Sequence, residues 1–325
     1  MYAGFRQVSP QKNLGKMMII FTLLSTKGGV GKTTLAANLG ALMADMGLRV
    51  LLIDADIQPS LSKYFEIKHK AQFGLTKVIV SGTVTEDCIS RTDINGLDII
   101  QSDDSEKMLQ SWLMNRIDRG ERLSNALNSP AVSDEFYDVI LIDTQGAAAG
   151  ALQDTAALAA TQVIAPVNPE MLSAREFKSG TMEMLERLEP SPHSKYRVGP
   201  VMAVIYRQDR TSDARHIADS IRQDFTKTPD NATDMADSIR QDYIRLGGRV
   251  RVLNTYVPYA KSYKEAATLR TPVHRHEPSR EGTMASAYDT MHALVWELVP
   301  NLAGNFAGAS GDSTHVAKGA DKGVA

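Results

Sequence analysis

MMIIFTLLSTKGGVGKTTLAANLGALMADMG occupies residues 17–47 and reads as three parts. MMIIFTLLS (17–25) is an apolar run with the character of a buried strand. Lys32 to Met46 reads as a helix. Between them stands Lys27-Gly28-Gly29-Val30-Gly31-Lys32-Thr33-Thr34, which contains G-x-x-G-K-T directly after the strand and directly before the helix. That is the context a phosphate loop requires. Its glycines let backbone N–H groups close around phosphate oxygens, and the helix N-terminus adds partial positive charge. Lys32 is then expected at the β and γ phosphates, the Thr33 hydroxyl on Mg2+, and Thr34 near the α-phosphate. A glycine-rich turn with no ligand would leave the Lys-Thr pair unexplained.

Working outward, the same alternation continues. Arg49 to Asp54 (RVLLID), Tyr137 to Asp143 (YDVILID), Gln162 to Val167 (QVIAPV) and Val201 to Tyr206 (VMAVIY) read as strands. Helical stretches fall at about 150–160, 169–188 and 211–225, and residues 282–299 form a last amphipathic helix. Continuous apolar strands alternating with helices imply an α/β fold, a mostly parallel sheet with helices on both faces. A single P-loop NTPase domain over 17–303 is expected. Residues 1–16 read as a short polar leader, with no room for a helix-turn-helix, and 304–325 as a disordered Gly/Ala/Ser-rich tail. ADSIRQD occurs at 218–224 and again at 236–242, 18 residues on. Pro229 between the copies argues for a duplicated loop rather than one long helix, and two copies make no solenoid.

Composition narrows the function. The chain has 325 residues, with 36 Lys+Arg against 38 Asp+Glu, so a globally basic nucleic-acid binder is excluded while a local patch is not. One cysteine, Cys88, rules out a disulfide framework, a four-Cys zinc site and an intrachain Cys-ligated cluster. The apolar run Met17 to Leu24 is far short of the roughly 20 residues a membrane span needs. A cytoplasmic protein is expected.

Position 27, where the ordinary GxxxxGK[ST] loop begins with glycine, is lysine. KGGVGKT[ST] is the deviant Walker A sequence, and here the chain resembles the ParA/MinD family of P-loop ATPases. LLIDADIQPS (51–60) is similar to the family's D-x-D-P-Q segment, with Ile57 inserted and Gln58-Pro59 in reversed order. YDVILIDTQG (137–146) resembles its Walker B strand, with Gln145-Gly146 where D-T-P-P is usual. VIAPVNPEMLSARE (163–176) and Thr255-Tyr-Val-Pro258, Glu265-Ala266 and Thr271-Pro272-Val273 match the later segments, the last against G-x-P-V. The resemblance covers about 17–300.

The resemblance implies ATP and Mg2+ as cofactors, with the whole loop Lys27–Thr34 binding nucleotide. Lys27 would reach across an ATP-bound homodimer to the partner's phosphates. Asp56 would position the attacking water. Asp54 would support the metal shell, and Asp143 would hold Mg2+ through water. Loops near Pro258 would hold the base, although the Asn or Thr common at the end of the 201–206 strand is replaced by Ile205-Tyr206-Arg207. The implied function is DNA partition. The dimer binds DNA without sequence preference on the nucleoid, and a ParB-like centromere-binding protein stimulates hydrolysis. A positioning ATPase for a protein cargo is the alternative. A MinD-like membrane-cycling ATPase ranks lower, because it needs a basic amphipathic C-terminal helix. A nitrogenase-reductase-like carrier needs two cysteines.

From Arg240 to His276 there are eight basic residues against Asp242 and Glu265, so the segment carries +6 and the remainder −8. Arg249, Arg251, Lys261, Lys264 and Arg270 are the expected DNA contacts. His274-Arg275-His276 has no third ligand at metal spacing, and Cys88 follows two acids, so neither reads as a reactive site.

Overall fold

The computed structural model describes residues 18–104, 106, 108–146, 150–188, 198–226 and 250–300. The leader, the tail, the second ADSIRQD copy, Arg240, Arg245 and Arg249 lie outside the described residues.

Ten strands form among the described residues: β1 (Ile19–Leu23), β2 (Val50–Ala55), β3 (Ile67–His69), β4 (Ser90–Thr92), β5 (Leu97–Ile100), β6 (Val139–Thr144), β7 (Gln162–Val167), β8 (Val201–Gln208), β9 (Val250–Val252) and β10 (Val257–Pro258). They join in one sheet, ordered β10-β8-β7-β1-β6-β2-β5-β4-β3, with β9 also on β8. From β10 to β5 the pairing is parallel; β3–β4 and β4–β5 are antiparallel. The helix Lys32–Asp45 (α1) follows β1 directly.

The pleat sorts side chains onto two faces. Phe21 and Leu23 of β1, Val50 and Leu52 of β2, and Val139 and Leu141 of β6 pack with α1 and the Ala287–Leu298 helix. Leu51, Ile53, Ile140 and Ile142 pack on the other face with the Leu75–Ser81 and Ala151–Ala159 helices. A third cluster joins Ala203 and Ile205 to Phe177, Ala218 and Ile221. α1 lies close on the sheet because position 40 is glycine; a Cβ there would stand 2.7 Å from Leu52 Cδ2.

Three sequence expectations change. The helix predicted over 169–188 is Met171–Glu176 and Glu183–Leu188 joined by a π-helical turn at Phe177–Met182. The closing helix begins at Ala287, not 282, where Ser286 and Asp289 make a reciprocal capping box. The short strands β3, β4, β5, β9 and β10 were not expected from the sequence pattern. The first ADSIRQD copy lies in the Ser212–Thr226 helix. None of the described helices is long and apolar enough to cross a membrane.

Candidate nucleotide site

The parallel register sets the site. Leu23 pairs with Asp143, and Asp54 pairs with Asp143, so two carboxylates end neighbouring strands side by side. Residues 50, 52 and 54 share one face, as do 139, 141 and 143, so both acids point to the α1 side. There α1 begins. Gly31 is its N-cap, at φ 95°, and no side chain caps the helix. The first-turn N–H groups are thus left for a ligand, and the helix dipole favours an anion. Tyr206, buried at the end of β8, fills the space against Gly31; a Cβ there would fall 2.1 Å from its ring.

A cavity of about 390 Å³ opens over this junction. Gly28, Gly29 and Gly31 to Thr34 line it, with Asp56 and Gln58 after β2, Thr144 to Gly146 at the end of β6, and Arg207 on β8. Lys32 is 6 % exposed. Burial pushes its ammonium down, against the pull of Asp143 and Asp56. Asp143 is fully buried, and neither carboxylate oxygen has a hydrogen-bond partner. Burial pushes its carboxyl up. Thr33 and Lys32 favour the charged form, and Asp54 and Asp56 oppose it. A buried, unpartnered carboxylate is costly. Here it faces a buried lysine and a hydroxyl, the donor set that a magnesium–phosphate group would complete. Among the described residues no group of three or more His, Cys, Asp or Glu gathers to hold a metal ion. A cation at Asp143 would therefore take most of its ligands from phosphate and water, as Mg2+ commonly does.

Asp54 is engaged within the fold. Its Oδ2 accepts from the Ser62 amide (2.8 Å) and hydroxyl (2.7 Å), and its Oδ1 from the Asp56 amide (3.3 Å). Burial raises it to about 6, with the Ser62 hydrogen bonds opposing. Both oxygens accept from backbone and hydroxyl donors, so Asp54 ties the end of β2 to the loop that follows it. Ser102 completes the brace. Its amide donates to the Ser62 hydroxyl (2.9 Å), and its hydroxyl donates to the Asp56 carbonyl (2.7 Å). Asp56 itself faces the cavity while its Oδ1 accepts from the Gln58 amide at 2.9 Å. The inserted Ile57 is absorbed in that turn.

Lys27 turns to its own chain. Its Nζ donates to the Ser173 hydroxyl (3.2 Å) and lies 3.7 Å from Glu170 Oε2. Just before it, Thr26 is held by Glu176 (2.7 Å) and by Thr181 of the π-helical turn. The Val30 side chain is buried, which leaves only its backbone to face the loop's interior. Pro258 does not line the cavity; it is buried in β10, opposite Gln208. The β8 side of the cavity is instead Arg207. Sequence reasoning missed Asn38, whose amide donates to the Thr34 carbonyl (2.7 Å) while its carbonyl accepts from the Val273 amide (2.7 Å), tying α1 to the Thr271-Pro272-Val273 stretch. It also missed Ser62, Ser102 and the partners of Lys27, of which only Glu170 and Ser173 lay in a segment the sequence had marked.

The basic residues divide. Arg251 pairs with Met202 near the start of β8, whereas Val257 pairs with Tyr206, four residues along. Arg251 meets Glu297 (3.4 Å), Lys261 meets Glu265 (2.5 Å), and Lys264 donates to the Tyr259 hydroxyl (3.1 Å). Arg270 is exposed. His274 and Arg275 both bind Asp45, and His276 lies 3.5 Å from Glu265, so both histidines lie against carboxylates. Cys88 is buried.

Comparison with known proteins agrees with this geometry. The family profile described as "AAA domain" matches residues 17–190. The chain is 31% identical over 207 residues to the chromosome partitioning protein ParA of Caulobacter vibrioides, covering 63% of this chain and 76% of that one. It is 35% identical over 152 residues to the sporulation initiation inhibitor protein Soj of Bacillus subtilis, covering 46% and 58%. Among solved structures, the Pyrococcus furiosus cell division ATPase MinD superposes with a TM-score of 0.59 at 21% identity, covering 88% of this chain and all of that one. With its deviant phosphate loop intact and the Walker B carboxylate at its floor, the chain belongs to the ParA/MinD family of P-loop ATPases.

Proposed function

We propose that this chain is an ATP-driven DNA-partition ATPase using ATP and Mg2+. The observation that carries the reading is Asp143: a buried carboxylate with two unpartnered oxygens, beside Lys32 and Thr33, under a phosphate loop whose helix has no side-chain cap. Bound Mg2+ would neutralise charge on the transferred phosphoryl group. Thr33 and Asp143 would hold it. Lys32 and the N–H groups from Gly28 to Thr34 would hold the phosphates. Asp56, at the cavity wall and braced through Ser102 and Asp54, would hold the attacking water. Lys27 would leave Ser173 and Glu170 to reach the partner protomer's phosphates in an ATP-bound homodimer.

The DNA surface would be built from Arg251, Lys261, Lys264 and Arg270, with Arg249. Lys261 is 87% exposed. Exposed ion pairs such as Lys261–Glu265 are worth little in water, so trading a glutamate for a phosphate costs little. A ParB-like partner is expected to stimulate hydrolysis and release, with the dimer on the nucleoid in the cytoplasm.

The test is a DNA-binding titration of the wild type and Lys32→Ala with ATP, ADP and no nucleotide, over a salt series, alongside steady-state ATP hydrolysis. The wild type is expected to hydrolyse ATP and to bind any DNA sequence in the ATP state alone, weakening with salt. Lys32→Ala is expected to do neither. Equal DNA binding in all nucleotide states refutes the partition reading. Hydrolysis by Lys32→Ala at the wild-type rate refutes the site.

A further inference from the structure

Arg207 is misplaced for its strand. Along β8, Val204 and Tyr206 pack on the α1 face, and Ala203 and Ile205 on the other. Alternation would send residue 207 after Ile205, away from the phosphate loop. Its guanidinium instead stands over the Tyr206 ring, 5.7 Å from the centroid, and Nη1 donates to the Gly29 carbonyl at 3.0 Å. The backbone explains the turn: Arg207 has φ 60°. Side chains other than glycine, Asn and Asp rarely adopt that conformation, and such outliers gather at functional sites.

The contact falls on the loop itself. Gly29 lies between Lys27 and Gly31, and Arg207 lines the same cavity as Lys32, Thr33 and Asp56. Among the described residues its only hydrogen bond is the one to Gly29, which uses one of five N–H donors. A planar fork with donors to spare beside an anion-binding loop matches phosphate geometry.

We propose that Arg207 is a nucleotide-site residue. It steadies Gly29 from outside the loop and offers its remaining donors to the phosphate chain of a nucleoside triphosphate. The proposal rests on the nucleotide reading above and adds a cation that the family motifs do not supply.

The experiment uses the full chain with Mg2+, the non-hydrolysable analogue AMPPNP, and inorganic tripolyphosphate, which has no base. Kd is measured for both probes, and melting is followed without ligand. Arg207→Gly relieves the positive φ, so it is expected to melt at or above the wild-type temperature. Its Kd for AMPPNP is expected to rise about 10–100-fold, the scale of a charge-assisted hydrogen bond. Tripolyphosphate should weaken by a similar factor, and Arg207→Lys should recover part of the loss. AMPPNP affinity within twofold of wild type in Arg207→Gly overturns the proposal. So does a loss for AMPPNP with none for tripolyphosphate, which would mean a base contact. If the glycine variant melts well below wild type, Arg207→Gln decides, since it keeps a donor for Gly29 without charge. A tenfold loss then supports the proposal, and no loss overturns it. Wild type that binds neither probe would refute the nucleotide reading itself. Binding lost in Lys32→Ala but kept in every Arg207 variant would refute only the role of Arg207.

Discussion

Gly146→Ala tests how the Walker B loop meets the phosphate loop. A Cβ at residue 146 would stand 2.7 Å from Gly28 Cα, 2.9 Å from Gly28 N and 2.9 Å from the Lys27 carbonyl. All three atoms are backbone, so no side chain can swing aside. Gly146 is not in the left-handed region, so the penalty is steric rather than conformational. Moving the 2.7 Å contact out to 3.4 Å, where ordinary contact begins, requires about 0.7 Å of separation. Overpacking of this kind costs about 1–3 kcal/mol. At roughly 2–4 °C per kcal/mol for a domain of this class, melting should fall by several degrees.

The functional cost should be larger. The displaced loop carries the N–H groups proposed for phosphate, and misplacement by about 1 Å costs on the order of 100-fold in rate. Thermal denaturation without nucleotide and steady-state ATP hydrolysis read the two effects. Gly28→Ala is the control for folding, because a Cβ there meets nothing within 4 Å, and it should melt with the wild type. If Gly146→Ala melts with the wild type and keeps its hydrolysis within twofold, the two loops do not touch as described and the reasoning fails.

Two further outcomes are expected. Arg270 stands where the family resemblance has glycine and keeps φ at 53°; Arg270→Gly relieves roughly 1–2 kcal/mol of left-handed strain against roughly 0.4–1 kcal/mol of added unfolded-chain entropy. Melting should rise slightly, and a fall would contradict the strain. At Asp45, partial burial opposes ionisation, but hydrogen bonds and charges from Arg275 and His274 outweigh it and hold the carboxyl below its ordinary 3.8. A carboxyl depressed by folding stabilises above its unfolded pKa and loses that contribution as pH falls through its folded one. The melting gap between wild type and Asp45→Asn should therefore be full at pH 6 and shrink below pH 4; a gap that widens on acidification would reverse the assignment.

The parts of this molecule that were legible are local. The phosphate loop, its strand and its helix lie within 31 consecutive residues, and each is set by glycine freedom, apolar periodicity and one Lys-Thr pair. The strand that ends at Asp143 and Thr144 was legible for the same reason, since four apolar residues precede the acid. The strands β3 and β4 were not, because three residues are too few to show a period of two. The π-helical turn at Phe177–Met182 left no sequence signal either; its effect, placing Thr181 against Thr26, joins residues 155 apart. The start of the closing helix was readable in principle, as Ser286 and Asp289 have capping-box spacing, but the apolar pattern began earlier and masked it.

Asp54 and Arg207 show why the remainder of the site needed coordinates. Asp54 follows a buried strand just as Asp143 does, and the two are register partners on one face. Nothing in their local sequence says which of the two the fold supplies with hydrogen-bond donors. What separates them is supply of donors. The Ser62 amide and hydroxyl, eight residues on, reach Asp54, and no hydrogen bond reaches Asp143. One carboxylate is thereby satisfied within the fold, and its neighbour is not, which is what supports the proposed magnesium site there. Arg207 makes the complementary case. Its strand parity points away from the cavity, and one backbone angle reverses that direction. Periodicity assigns a residue to a face only while φ stays in the ordinary region, so the pattern fails at the very residue that the strain brings to the phosphate loop.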